Sequence, residues 1–314
     1  MSIPIPKVKF NNGVEVPIIG NGSWAPNTPE AQGAVKDWIL SALKAGFRHI
    51  DTAQGYHTEG AVGQAIRESG IPREEIFVTT KLPWSDHGRV RESFEVSHAN
   101  LGTYIDLYLM HWPQYIPQRE DGSDPINPDG SWQASDAVNF NQSWAEIEKL
   151  LDTGKVRSIG VSNFSIKTLE ELLKTAKVIP VTNQVELHPY LAQNELREYC
   201  QKKGITLTAY TPSGYSVVRN DPLIVSIAEK YKVSPTQVIF AWHISRGTII
   251  VPKSENPERQ KQNITLVQIS EEDIGKIWHL DRGQRICNKA DEKTGQVYGW
   301  TLEQLGWVNY RNSA

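Results

Sequence analysis

The sequence predicts an α/β protein, a closed (β/α)8 or TIM barrel with an N-terminal β-hairpin and a C-terminal loop over the barrel mouth. Three observations predict it. Short β-branched runs alternate with amphipathic stretches, eight such runs occur, and no linker or composition break divides them. Strict strand–helix alternation implies a parallel sheet covered by helices, and eight units favour closure over an open sheet. Residues 1–314 are therefore read as one domain.

Residues 7–10 and 14–17 flank Asn11-Asn12-Gly13, a hairpin whose Asn-Gly pair suits a tight primed turn. Barrel strands are predicted at 18–20, 48–50, 76–80, 105–110, 156–161, 181–185, 205–209 and 248–251. Helical patterns fall between them at 30–45, 58–68, 90–101, 143–151, 166–173, 193–202 and 222–231. An open dinucleotide-binding sheet would want Gly-x-Gly-x-x-Gly after an early strand. The nearest stretch, Gly20-Asn21-Gly22-Ser23-Trp24, lacks the third glycine and a following helix start. Residues 113–136, rich in Pro, Gly, Asp and Ser, are too long for a connector and read as a loop at the barrel mouth, either a plain insertion or a substrate lid. The tail, 282–314, carries Trp300, Trp307 and Tyr310 without clear periodicity and reads as a wrap over the barrel.

Composition excludes several functions. The net charge of −3 is no footprint for nucleic acid or an anionic membrane. The opening MSIPIPKVKF has no charged segment followed by an apolar run, and no stretch approaches a membrane span. Cys200 and Cys287 form neither a disulfide framework nor metal-ligand spacing. The expectation is a cytoplasmic protein, a monomer or weak homodimer, acting on a small molecule.

In such a barrel, active sites sit at the C-terminal ends of the strands. The second predicted strand ends at Asp51, the third at Lys81 and the fourth at His111, each thirty residues from the last. That is about one β/α unit, so equivalent levels of adjacent strands should bring them together. The later strands end at Ser162-Asn163, Gln184, Tyr210 and Lys253-Ser254. One strand-end lysine or aspartate is commonly a structural ion pair, but a polar or aromatic group at seven consecutive strand ends is hard to explain by solubility. A buried or half-buried Asp51–Lys81 pair would be a weak stabiliser, and chemistry explains its presence better, with His111 beside it and Tyr56 just after Asp51. In that reading Asp51 holds Lys81 charged, the ammonium lowers the Tyr56 pKa, and Tyr56 protonates a carbonyl oxygen as hydride reaches the carbon. His111 orients the same oxygen.

These residues resemble the aldo-keto reductase family. Gly46-Phe47-Arg48-His49-Ile50-Asp51-Thr52-Ala53 with Tyr56 and Glu59 is similar to its first signature, and Ile159-Gly160-Val161-Ser162-Asn163-Phe164 to its second. Val251-Pro252-Lys253-Ser254 leading to Arg259 and Asn263 is similar to the third. Asn183-Gln184-Val185-Glu186 with His188-Pro189, and the contexts of Lys81 and His111-Trp112-Pro113, also fit, so the likeness spans residues 12–263 in family order. The resemblance implies a catalytic tetrad of Asp51, Tyr56, Lys81 and His111 and a nicotinamide cofactor extended across the barrel mouth. It implies that Tyr210 stacks on the nicotinamide while Ser162, Asn163 and Gln184 bond its carboxamide. It further assigns Ser23, Trp24, Asp51, Thr211, Pro212, Ser254, Asn256, Gln262 and Asn263 to the cofactor groove.

The last strand end is informative by itself. Asn256 is an N-cap candidate and Pro257 a first helical residue, so a helix N-terminus lies beside Lys253 and Arg259, an arrangement that favours phosphate. The alternative is a solvated charge run, since Glu255 and Glu258 lie among the cations. The resemblance identifies the phosphate as the 2′-phosphate of NADPH, with Arg259 the main discriminator and NADPH/NADP+ the cofactor. The chain departs from the family pattern at Ser213 and Tyr215, where Leu and Ser are commoner, at Gln262, where a Glu often meets the adenine, and at Pro83-Trp84, where Trp commonly follows Lys-Leu directly. These positions bear on the adenine contacts, the loop over the cofactor and the pocket shape.

Of ten tryptophans, Trp24, Trp84 and Trp112 lie near strand ends and with Tyr56 and His111 form the expected substrate wall; Trp38, Trp144 and Trp242 read as packing. Trp300 and Trp307 are candidates to close the pocket from the tail. The expected activity is reduction of aldehyde or ketone carbonyls, aldoses and glycerol-related compounds included. Two rivals are an NADPH-binding sensor barrel with little turnover and a metal hydrolase built on His49, His111 and His188, for which the spacing supplies no ligand cluster; a purely structural barrel would leave the strand-end set unexplained.

Overall fold

The expected hairpin opens the chain. In the computed structural model, which describes residues 3–123, 125–307 and the backbone of 311–312, β1 (Lys7–Lys9) pairs antiparallel with β2 (Glu15–Pro17). The turn is not the two-residue primed form. Of its residues only Gly13 has positive φ (+86°), and its N–H bonds the Phe10 carbonyl, so a left-handed glycine follows an ordinary turn. The hairpin's Phe10 and Val16 pack with Phe77, Leu107, Leu109, Val181 and Ile249, which seals one end of the barrel.

Eight parallel strands run in chain order round one sheet: β3 (Asn21–Gly22), β4 (His49–Asp51), β5 (Phe77–Leu82), β6 (Ile105–Met110), β7 (Val156–Ser162), β8 (Thr182–Glu186), β9 (Thr206–Tyr210) and β10 (Ile249–Ile250). The ring closes where Gly20 N–H donates to the Ile250 carbonyl and Ile250 N–H to that of Ile18, both at 2.8 Å. The sequence placed the first strand at 18–20. That segment instead forms the seam with the last strand, and β3 follows it. Gly20 fits there because it has no Cβ, which would lie 2.8 Å from the His49 ring. The other strands lie within a residue or two of expectation because their β-branched runs are buried on both faces.

Helices cover the outside: α1 (Pro29–Ala45), α2 (Glu59–Glu68), α3 (Val90–Leu101), α4 (Phe140–Lys149), α5 (Ile166–Leu173), α6 (Asn194–Lys202), α7 (Tyr215–Arg219), α8 (Pro222–Tyr231), α9 (Pro235–Ser245), α10 (Pro257–Ile264) and α11 (Glu271–Trp278). Local chemistry sets their ends. Thr28 caps α1 with Pro29 in its first turn, Ser165 and Thr168 form a capping box on α5, and Asn256 caps α10 as expected. α9 was not anticipated. It is buried over Gln237–His243 and so has no polar face to mark it, although Ser234 and Gln237 form a legible capping box with Pro235 in the first turn. Trp38, Trp144 and Trp242 are buried packing residues, as expected. No described helix is long and apolar enough to cross a membrane.

The tail adds β11 (Gln284–Arg285), a hairpin of β12 (Gln296–Val297) and β13 (Trp300–Thr301), α12 (Leu302–Leu305) and β14 (Arg311–Asn312). Tyr310 lies outside the described residues.

Three buried histidines make the fold acid-sensitive. Burial pulls His49 and His87 down to about 4 and His243 to about 3, against an ordinary value near 6.5. Below about pH 6.5 the unfolded imidazoles bind protons that the folded ones refuse. Each therefore contributes stability that is complete above about pH 6.5 and is lost as pH falls towards 4, on the order of 3 kcal/mol apiece. Urea midpoints measured across that window are expected to fall steeply with acid; a flat profile from pH 6.5 to 4 would contradict the buried neutral imidazoles.

Candidate active site

The hairpin closes one end of the barrel, so the open end is the C-terminal rim of the strands. There the register refines the expected geometry. Asp51 pairs with Thr79 and Lys81 with Leu109, so Asp51, Lys81 and His111 are not level partners. Each stands two residues beyond its neighbour's partner, and the long Lys81 side chain reaches back across the step. Its Nζ donates to Asp51 Oδ1 at 2.7 Å and to the Thr52 carbonyl at 2.8 Å. Gln184 Nε2 donates to the other Asp51 oxygen at 2.7 Å. The side chains of Lys81 and Asp51 are 0 % and 5 % exposed.

Tyr56 stands on the turn after β4. The Lys81 ammonium lies 5.0 Å from its ring centre, and the His111 ring meets it edge-on at 5.5 Å. The four groups of the expected tetrad are thus together. Their electrostatics differ from expectation in one respect. Enclosure pushes the Tyr56 phenol above its ordinary value, and the Lys81 charge opposes but does not overcome it. Burial pulls Lys81 down, but Asp51 and Tyr56 outweigh it and leave the ammonium above its usual range. Burial and the Lys81 charge hold His111 well below its ordinary value. At neutral pH the rim therefore holds a protonated phenol, an ammonium and a neutral imidazole.

Asp51, Tyr56 and His111 border a cleft of about 1310 Å³ that crosses the barrel mouth, and Lys81 lies buried behind them. Asn163, Gln184 and Tyr210 line its middle, but their side chains already have hydrogen-bond partners within the protein. Tyr210 OH donates to Asn163 Oδ1 at 2.7 Å, and Gln184 is committed to Asp51. Ser162 is buried behind them, donating to the Gln184 carbonyl at 2.8 Å, and is not a lining residue. Thr211 and Pro212 continue the wall from Tyr210.

At the far end the cleft is lined by Lys253, Ser254, Arg259, Gln262 and Asn263. The Arg259 side chain is exposed and makes no ion pair among the described residues, whereas Lys253 is paired with Glu255 and lies over the Trp24 ring at 5.9 Å. Asn256 does not line the cleft. Its side chain accepts from Arg259 N–H at 2.9 Å and so caps α10. Ser23 and Trp24 line the near edge, Ser23 in contact with Thr58 and Trp24 52 % exposed, a rim residue rather than a buried wall.

The aromatic wall comes from two places. Trp84 and Trp112 supply the expected part, and the sequence reading missed Tyr298, which lies 4.9 Å from Trp84 and 5.0 Å from Trp112 between ring centres. Trp300 and Trp307 do not line the cleft; Trp307 packs behind Trp112. Trp132, from the 113–136 loop, packs edge-on against Trp84 at 5.1 Å and against Tyr298 at 5.5 Å, so that loop buttresses the mouth. Tyr298 and Gly299 form the tip of the β12–β13 hairpin, both at positive φ, a primed turn hidden from the sequence reading by its Tyr-Gly pair.

A buried carboxylate docks this tail. Glu186, at the end of β8, accepts from the N–H groups of Ile286 (2.6 Å) and Cys287 (3.1 Å), from Arg285 Nη1 (3.2 Å), and lies 3.1 Å from His188 Nε2. Burial would push its carboxyl up, but the His188 hydrogen bond and the Arg285 charge outweigh it and the net direction is down. Cys287 and Asn288 are thereby carried onto the cleft wall. His188 is thus occupied at Glu186, and His49 lies against Thr79 Oγ1 at 3.1 Å, away from His111.

The profile of the Aldo/keto reductase family matches residues 18–282. A glycerol 2-dehydrogenase (NADP(+)) of Saccharomyces cerevisiae is 44 % identical over 86 % of this chain and 89 % of its own. An aldehyde reductase of the same yeast is 40 % identical over 86 % and 89 %. A D-galacturonate reductase of Hypocrea jecorina is 40 % identical over 85 % and 87 %.

Breaking a buried ion pair by removing one partner costs about 3–5 kcal/mol. Glu186→Ala is therefore expected to lower unfolding stability by about that amount and to expose the segment after Gln284 to proteolysis. Denaturant midpoints and a timed digest check it; unchanged digestion would show that the tail is held elsewhere.

Proposed function

We propose, from the premise that this chain belongs to the aldo/keto reductase family, that it reduces aldehyde or ketone carbonyls to alcohols with NADPH. The observation that carries the reading is the rim cluster: the Lys81 ammonium, bonded to Asp51 and lying below the Tyr56 ring, with a neutral His111 across from it.

The residues fit the cofactor. A cleft of about 1310 Å³ is larger than a site for one small ligand and long enough to run from the tetrad to the α10 N-terminus. Its far end offers a guanidinium with no ion-pair partner among the described residues and a helix N-terminus, a donor set suited to a phosphate. Arg259 would hold the 2′-phosphate and Tyr210 would carry the nicotinamide, with Asn163 and Gln184 at its carboxamide. When bound, NADPH supplies the hydride that no side chain can.

The chain's own groups do the rest. Tyr56, kept protonated by its enclosure, donates its proton to the carbonyl oxygen. Lys81 stabilises the phenolate left behind, and Asp51 keeps Lys81 charged and aimed. His111, neutral, donates a hydrogen bond to the same oxygen and sets its angle. Trp84, Trp112 and Tyr298 hold the apolar part of the substrate and exclude water. A regulatory barrel would not need this proton donor and its support.

Positioned general-acid catalysis contributes about 10²–10⁴-fold. Tyr56→Phe is expected to lower kcat by that order in NADPH oxidation with an aldehyde panel; a variant working at the wild-type rate ends the assignment. Losing a charge-assisted phosphate contact costs about 1.5–3 kcal/mol, so Arg259→Ala should weaken NADPH binding about ten- to a hundredfold and leave NADH nearly unchanged. Equal losses for both cofactors would remove Arg259 as the discriminator.

A further inference from the structure

We infer that Asn288 is a positioning residue that ties the tail-built wall of the substrate pocket to the floor on which the cofactor's reactive ring lies; the inference rests on the carbonyl reduction proposed above. Its basis is one continuous hydrogen-bond chain. The Tyr298 hydroxyl donates to Asn288 Oδ1 at 3.0 Å, and Asn288 Nδ2 donates to Tyr210 OH at 2.9 Å. Tyr210 OH donates to Asn163 Oδ1 at 2.7 Å, and Asn163 Nδ2 donates to the His111 carbonyl at 3.0 Å.

The chain has a direction. A tyrosine hydroxyl has one proton. Tyr210 spends it on Asn163 and can only accept from Asn288. That fixes which way the Asn288 amide faces and leaves its oxygen as the acceptor for Tyr298.

Backbone geometry supports the same role. Asn288 has φ +50°, a left-handed conformation that asparagine tolerates better than most residues. Tyr298, at φ +48°, is held in a turn position that usually falls to Asn, Asp or Gly. The hairpin cannot drift to relieve this. A Cβ on Gly299 would lie 2.7 Å from the Trp132 carbonyl, and the buried Gln114 donates to the Val297 carbonyl at 3.1 Å. With the hairpin backbone braced from outside and the Tyr298 ring packed on Trp84, Trp112 and Trp132, Asn288 is the hydrogen-bonded link between that ring and Tyr210.

Two variants test this. Asn288→Gly keeps the left-handed backbone and deletes the amide; Tyr298→Phe deletes only the terminal hydroxyl. Each is expected to lower kcat/KM for a carbonyl substrate about fivefold to tenfold, and the double variant should lose no more than Asn288→Gly alone. A readout without turnover is amide hydrogen exchange at residues 296–299. NADP+ should slow it in the wild type and fail to slow it in Asn288→Gly. Additive losses in the double variant, or equal protection by NADP+ in both proteins, overturns the relay. Should Asn288→Gly not fold, Tyr298→Phe decides alone, because a wild-type kcat/KM with wild-type exchange refutes it. A wild-type chain that reduces no carbonyl sinks the proposed reaction instead, a result distinct from any of these.

Discussion

The site depends on one ion pair placed where water cannot reach it. Lys81 and Asp51 are almost fully enclosed, so both lose hydration that their mutual attraction alone replaces poorly. The arrangement holds because the remaining bonding capacity is used. The ammonium has a second acceptor in the Thr52 carbonyl, and the second carboxylate oxygen has a donor in Gln184. Those partners come from β4, β5 and β8, so the pair is complete only when the sheet has curled far enough to bring β8 across from β4. Closure of the barrel and assembly of the charged centre are therefore one event.

Around that centre the charges are graded. Tyr56 and His111 stay uncharged for the same reason, with shifts of opposite direction: enclosure disfavours phenolate in the first and imidazolium in the second. The ion pair is thus the charged element beside the reacting position, with its ammonium 5.0 Å from the centre of the Tyr56 ring. At the other end of the cleft Arg259 stands in solvent without a partner among the described residues, and affinity for an anion costs little desolvation there. In the proposed reading, chemistry and cofactor choice are separated along one groove.

The barrel was legible because its strands are β-branched runs buried on both faces and its helices carry explicit caps such as Thr28, Ser165 and Asn256. The tetrad was legible because the strand ends recur at the β/α repeat. What escaped lacks a local signal. α9 is buried without a separate polar face, Tyr298 sits on a turn with an untypical residue pair, and Asn288 matters only through partners seventy-eight and ten positions away. The Tyr56 phenol was expected to fall because Lys81 is visible in the sequence; the enclosure that outweighs it is not. Register was misjudged for a related reason: repeat length sets spacing along the chain, while strand stagger sets height at the rim.

The wall that closes the pocket is made from the end of the chain. Asp51, Lys81 and His111 lie in the first half, whereas Cys287, Asn288 and Tyr298 arrive more than two hundred residues after Tyr56. During synthesis the barrel seam needs Ile250 and none of residues 287–298, so a nascent chain can close its ring before those residues are in place. Such a chain holds its reactive centre with the substrate side open to water. Completion of the pocket therefore waits on docking of the tail, and a chain truncated after α11 would keep the barrel without the enclosure.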